Sequence, residues 1–154
     1  MPDSHAQTKI RILLVDDHAL VRKQLTEVIQ GESDLAVCGE AEDVSTAALL
    51  VSREAPHLVI LDLSLKKSSG FDFLQHLHKM PAKPIILVLS MHEECVYVRR
   101  SLQLGASGYI TKDDAARHLM QAVRRVLAGQ RYLSEELARK LEEAPQSYPA
   151  GAQS

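Results

Sequence analysis

Asp16-Asp17, Asp62, Ser90 and Lys112 are the residues of this chain whose types can do chemistry together. Each stands at the end of a short apolar run: 10–15, 58–61, 85–89 and 109–111. Three carboxylates gathered into one cleft repel. Two unit charges about 4 Å apart cost roughly 4 kcal/mol at an effective dielectric near 20. A divalent cation relieves that repulsion, and a set of oxygens with no thiolate or imidazole at the same strand ends favours a hard ion such as Mg²⁺. Such an ion keeps several waters and takes a phosphate oxygen. Lys112 adds a point charge for an anion or a carboxylate. Ser90 can donate a hydrogen bond to a phosphoryl oxygen. A carboxylate at Asp62 could attack phosphorus and form an aspartyl-phosphate.

Taken singly, these residues have plainer explanations. An Asp after an apolar strand is usually a turn former or helix cap, and capping the first helix is the better reading of Asp17 alone. Ser90 could cap the fourth helix, and a Lys after a strand is usually a solvated end. Their coincidence at four strand ends favours a shared site. That site requires the runs to be parallel strands of one sheet, since open α/β sheets bind ligands beyond the C-terminal strand ends.

The runs support this. They are short, rich in β-branched residues and continuous rather than alternating, the pattern of strands buried on both faces. A weaker run at 35–38 makes a fifth. Between them, apolar residues recur at helical spacing. Leu20, Val21, Leu25, Val28 and Ile29 mark a first helix ended by Gly31. Residues 45–54 form a second, closed by Pro56. Phe71, Leu74, Leu77 and His78 mark a third, opened by Gly70 and closed before Pro81. Residues 93–104 form a fourth before Gly105. Residues 113–128 form a fifth, with Leu119, Val123, Val126 and Leu127 as its stripe and Gly129 after it. Strands and helices in alternation predict a doubly wound α/β domain with a five-stranded parallel sheet and five helices.

The chain has 154 residues, with 45% hydrophobic and 25% charged residues, which excludes a wholly disordered chain. Its net charge of −2 supplies no global basic field for nucleic acid. Two cysteines, Cys38 and Cys95, make no disulfide framework and point to a reducing cytosol. The N-terminus carries no signal pattern, and no run is long enough for a membrane span. A soluble cytoplasmic protein is expected, with residues 1–8 flexible.

The markers Asp16-Asp17, Asp62, Ser90, Tyr109 and Lys112, in this order over residues 9–128, resemble the receiver domain of two-component response regulators. Four stretches look like its NarL/LuxR-type branch. They are Asp16-Asp17-His18-Ala19-Leu20-Val21-Arg22, Ser90-Met91-His92-Glu93-Glu94, Gly105-Ala106-Ser107-Gly108-Tyr109 and Gly129-Gln130-Arg131-Tyr132-Leu133-Ser134. The resemblance implies a flavodoxin-like receiver fold and a phosphorelay function. Asp62 would accept a phosphoryl group from a histidine kinase. Asp17, Asp62 and the backbone carbonyl of Ser64 would ligate Mg²⁺, with Asp16 acting through water. Ser90 and Lys112 would contact the phosphoryl group, and Tyr109 would be the switch aromatic. The chain would then be a phosphoacceptor rather than an enzyme with turnover. Its partners would be the kinase, a second copy of the chain, and DNA only through an output domain absent from this chain.

One departure is the stretch Leu65-Lys66-Lys67-Ser68-Ser69-Gly70, where the family carries a Met-Pro pair before the loop glycine. Without the proline the loop is expected to be looser. Two rival readings are a Mg²⁺-dependent phosphohydrolase with an aspartate nucleophile and a stand-alone receiver working by protein contacts. The former commonly has a second carboxylate two residues past the nucleophile, where this chain has Ser64. His18 is expected at the cleft rim as a first-turn helix residue, and His92-Glu93-Glu94 as a solvated helix start. Residues 129–154 are expected to be a linker with one short helix, Ser134 as its N-cap and Glu135 and Glu136 in its first turn. Leu133, Leu137 and Leu141 give that helix only a narrow stripe. Truncation after Gln130 is therefore expected to cost within about 1 kcal/mol.

Overall fold

The computed structural model describes residues 8–65 and 69–144. Five parallel strands form one sheet in the order β2-β1-β3-β4-β5. In chain order the elements are β1 (Ile10–Val15), α1 (Ala19–Gln30), β2 (Leu35–Ala41), α2 (Val44–Glu54), β3 (Leu58–Asp62) and α3 (Gly70–His78). They continue with β4 (Ile85–Ser90), α4 (Cys95–Gln103), β5 (Gly108–Thr111), α5 (Lys112–Leu127) and α6 (Glu135–Glu143). This is the doubly wound sheet the sequence pattern predicts.

The continuous apolar runs follow from two covered faces. Successive strand side chains point to opposite sides of the sheet. Ile12 and Leu14 of β1 join Leu58 and Ile60 of β3 and Leu87 and Leu89 of β4 in a layer closed by Leu25 and Ile29 of α1 and Leu119, Val123 and Val126 of α5. Leu13, Val15, Val59, Leu61, Ile86 and Val88 face the other way, against Val51 of α2, Phe73, Leu74 and Leu77 of α3 and Val98 of α4. Every one of these strand side chains is buried. Because the residues from Ile12 to Val15 of β1 and from Leu58 to Leu61 of β3 are covered on both faces, they are apolar, and the acids stand where those runs stop.

β1 has β2 on one side and β3 on the other, so the chain direction of winding reverses beside it. The C-terminal ends of β1 and β3 therefore border the crevice at the switch point.

Most boundaries fall within a residue or two of expectation, and three of the shifts have a visible cause. β2 continues to Ala41 rather than ending at 38, because it pairs along the whole of β1, with a register shift between Ile12 and Leu13. α4 starts at Cys95 rather than 93, since Glu94 is its extended N-cap residue. α5 starts at Lys112, one residue early, because the Thr111 hydroxyl caps it by accepting from the Asp114 N–H at 3.1 Å.

The C-terminal helix forms where expected, with the Ser134 hydroxyl accepting from the Leu137 N–H at 3.1 Å. Its expected separation from the core does not hold for residues 131–141. Tyr132 is 4% exposed and packs with the α1/α5 layer, and Leu137 is 3% exposed in the opposite layer. The physical reason is that β5 would otherwise be an open edge strand, and this segment covers it. Residues 1–7, 66–68 and 145–154 lie outside the described residues, and with them the expectations of a flexible N-terminus and a looser stretch at Lys66-Lys67. No helix among the described residues is long and apolar enough to cross a membrane.

Candidate phosphoryl-transfer site

Asp16 and Asp17 follow the last residue of β1, Asp62 is the last residue of β3, Ser90 the last of β4, and Lys112 follows β5. Parallel pairing brings these ends to one edge of the sheet. Asp62 lies opposite Leu89, so Ser90 stands one residue further along the neighbouring strand, opposite Thr111.

Lys112 ties the carboxylates together. Its Nζ lies 3.1 Å from Asp62 Oδ2 and 3.1 Å from Asp16 Oδ2. It is not a solvated strand end: only 12% of its side chain is exposed. Burial alone would lower the Lys112 pKa, but the charges of Asp62 and Asp16 outweigh it and hold the ammonium above its ordinary value. Asp62 is fully buried. Its Oδ1 accepts from the Ser64 backbone N–H at 2.9 Å. Burial raises its pKa, the Ser64 N–H opposes the rise, Asp16 adds to it, and Lys112 opposes it.

Asp16 is equally buried. Its Oδ1 accepts from the His18 backbone N–H at 2.8 Å, while the buried Oδ2 makes no well-aligned hydrogen bond and meets only the Lys112 charge. The N-cap position of α1 falls to His18, which makes no side-chain cap bond. The His18 ring instead turns to the acids, with Nδ1 3.0 Å from Asp16 Oδ1 and 3.1 Å from Asp17 Oδ1. Sequence spacing alone placed it at the rim. Its reach into the cluster follows from the tight turn that its own backbone bond to Asp16 closes.

Asp16, Asp17, His18 and Asp62 each present one donor atom, all within 4.8 Å of one another. That donor set, mainly carboxylate oxygen with one buried oxygen short of a hydrogen bond, could hold a divalent metal ion.

Ser90 is buried and does not cap α4; its Oγ accepts from the His92 N–H at 3.0 Å. Tyr109 is fully buried, and its hydroxyl donates to the His92 carbonyl at 2.7 Å. Burial pushes its phenol up to about 12, so it remains a donor at every working pH. His92 is thus no free helix start: its ring stacks on Tyr97 with centroids 4.1 Å apart.

A family model for the response regulator receiver domain matches residues 12–124. The chain belongs to this family. The receiver is 34% identical over 132 residues to "Response regulator GacA" of Pseudomonas protegens, covering 86% of this chain and 62% of that protein. It is 36% identical over 107 residues to "Protein-glutamate methylesterase/protein-glutamine glutaminase 1" of Burkholderia pseudomallei, covering 69% of this chain and 29% of that protein. A crystal structure of a LuxR-family two-component response regulator from Aurantimonas sp. SI85-9A1 superposes with a TM-score of 0.81 at 34% identity. The superposition covers 88% of this chain and 97% of that one, in agreement with the NarL/LuxR-type placement. The chain spans less than two thirds of the length of either curated relative. The receiver is the part they share with it.

Proposed function

We propose that this receiver accepts a phosphoryl group on Asp62 from a phosphohistidine of a partner kinase and thereby switches its partner preference. The observation that carries the reading is Lys112 Nζ at 3.1 Å from both Asp62 and Asp16, joining the ends of three separate strands. Single caps or turn formers would not converge on one ammonium.

In this reading an Asp62 carboxylate oxygen attacks phosphorus, the P–N bond to the kinase imidazole breaks, and its electron pair returns to the imidazole nitrogen. The Ser64 N–H and Lys112 hold the carboxylate in place from two sides. Lys112 then follows the charge onto the new phosphoryl oxygens, and the Ser90 hydroxyl turns its proton toward them. Tyr109 and Ser90 share one partner, His92, so a shift at Ser90 reaches the Tyr109 hydroxyl.

Asp17, Asp62 and the Ser64 carbonyl would hold Mg²⁺ directly, and Asp16 through water. The ion supplies neutralisation of the carboxylate cluster and of the incoming phosphoryl charge. The chain's chemistry ends at this self-phosphorylation and the later dephosphorylation of Asp62. The unit that carries it is residues 9–128, with 129–154 as the connecting segment, in a cytoplasmic protein. DNA contact and transcription control belong to a LuxR-type output domain, and a second copy of the chain is a further partner.

The test is incubation with acetyl phosphate and Mg²⁺, followed by mapping of the acid-stable, base-labile adduct by mass. Wild type should label at Asp62, and Asp62→Ala should lose the label. Undiminished labelling of Asp62→Ala would refute the assignment.

A further inference from the structure

We propose that Arg22 is a positioning residue for the metal side of the Asp62 pocket. Anchored on Glu40 of β2, it fixes the peptide plane from which Asp17 reaches into the site. The inference rests on the Mg²⁺-dependent phosphoacceptor reading above and deepens it.

The stretch 16–22 ends in an arginine that none of the chemistry above uses. Its side chain is only 16% exposed. Nη1 donates to the Asp16 carbonyl at 2.6 Å, and Nε donates to Glu40 Oε1 at 3.1 Å. Glu40 is held in turn by the Thr26 hydroxyl, which donates to its Oε2 at 3.4 Å. The Asp16 N–H donates to the Ala41 carbonyl at 3.0 Å. Both backbone groups of Asp16 are thus tied to the last two residues of β2, one directly and the other through Arg22.

The consequence falls on Asp17. The Asp16 carbonyl and the Asp17 nitrogen belong to one planar peptide unit. A guanidinium on that oxygen fixes the plane to which the Asp17 Cα is attached. Asp17 offers its donor atom within 4.8 Å of those of Asp16, His18 and Asp62, so a rotation of that plane carries its oxygen away from the others. The Asp16 carboxylate is fixed separately, by the His18 N–H and Lys112. Arginine suits the task because its planar fork serves a carbonyl and a carboxylate at once, where a lysine presents a single point charge.

β2 is shaped for the same contact. Its register shift sets Glu40 opposite Leu14 and Ala41 opposite Val15. Leu14 belongs to the layer under α1, the helix that carries Arg22. Unshifted pairing would set Glu40 opposite Val15, whose layer lies under α2 and α3. One extra residue in β2 turns the Glu40 carboxylate toward α1, as bulges re-aim side chains elsewhere.

The positioning role and the bare charge of Arg22 predict opposite signs. As a cation beside the acids, a guanidinium repels Mg²⁺, so its removal would tighten Mg²⁺ binding. As the support of a ligand, its removal should weaken binding about tenfold or more, the lower end of the usual cost of losing an outer-shell partner. Calorimetric Mg²⁺ titration of the full chain, wild type against Arg22→Met, decides between them. Acetyl-phosphate labelling of Arg22→Met should need correspondingly more Mg²⁺ for half of its full rate. Binding as tight as wild type, or tighter, overturns the proposal. Arg22→Lys should restore only part of the lost affinity; full rescue would show that charge suffices and would overturn it too. Should Arg22→Met fail to fold, the anchor carries the test. Glu40→Gln loses the charge but keeps an acceptor for Nε, and it should hold Mg²⁺ more tightly than Glu40→Ala. Equal affinities in those two variants overturn the clamp. A wild-type chain that neither binds Mg²⁺ nor labels at Asp62 overturns the phosphoacceptor reading instead.

Discussion

Burial holds the Asp62 carboxyl above 3.8, with Asp16 adding to the effect and the Ser64 N–H and Lys112 opposing it. A carboxyl raised in the folded state keeps its proton where the unfolded chain has lost it. Stability without metal therefore falls as pH rises from about 4 through the raised value. Asp62→Asn keeps an acceptor for the Ser64 N–H and leaves Lys112 its Asp16 partner. In metal-free buffer at neutral pH it should melt higher than wild type, by about 3 °C for a gain near 1 kcal/mol in a chain of this size. An equal or lower melting temperature, or an unchanged acid slope, would contradict this. Millimolar Mg²⁺ should raise the wild-type melting temperature, and Asp17→Asn should shrink that rise. An equal rise in both proteins would remove Asp17 from the metal site. The acids, Ser90 and Lys112 were legible in the sequence because each ends an apolar run, and strand ends converge in any parallel sheet. His18 was not. Its ring reaches Asp16 and Asp17 only through the local turn, and no spacing rule reports the direction of that turn.

Gly70 shows how an element boundary serves the site. A Cβ at this position would lie 2.7 Å from Leu63 Cα and 2.8 Å from Leu63 O. Those are backbone atoms of the residue that follows Asp62, and they cannot give way as a side-chain tip does. Gly70→Ala should therefore destabilise the protein by roughly 1–3 kcal/mol, the usual range for overpacking. It should also slow acetyl-phosphate labelling, because the strain falls on the loop that supplies the Ser64 N–H to Asp62. Normal labelling with normal stability would show that the start of α3 moves without cost. Helix and strand order was readable because α5 carries a clean apolar stripe and the central strands β3 and β4 are buried on both faces. The start of α4 was not. His92 and Glu93 fit a helix by composition, but Ser90 and Tyr109 claim the His92 backbone, and Glu94 takes the cap position instead.

At the scale of the whole molecule, the sheet leaves β5 as an edge with only β4 beside it. Its backbone groups and the apolar flank of α4 need cover, and residues 131–141 provide it. The sequence hid this. Leu133, Leu137 and Leu141 read as a stripe too narrow to dock the short helix more than weakly, and Tyr132 gave no sign of pairing with a strand more than twenty positions earlier. Its role exists only once β5 is known to be an edge. The expected cost of truncation after Gln130 changes accordingly. Fully burying a large apolar side chain contributes about 1.5–3 kcal/mol, an upper figure because the unfolded chain already hides part of that surface. Tyr132 and Leu137 are both buried, and the backbone order lost with the segment offsets part of their contribution. Removing residues 131–154 should then cost roughly 2–4 kcal/mol, read as a lower urea midpoint. The truncated chain should still label at Asp62, since Asp16, Asp17, Asp62, Ser90 and Lys112 all lie before the cut. A loss below about 1 kcal/mol would mean that docking and release of the segment are nearly balanced in the resting protein. In that case hydrogen exchange in 132–141 should be fast.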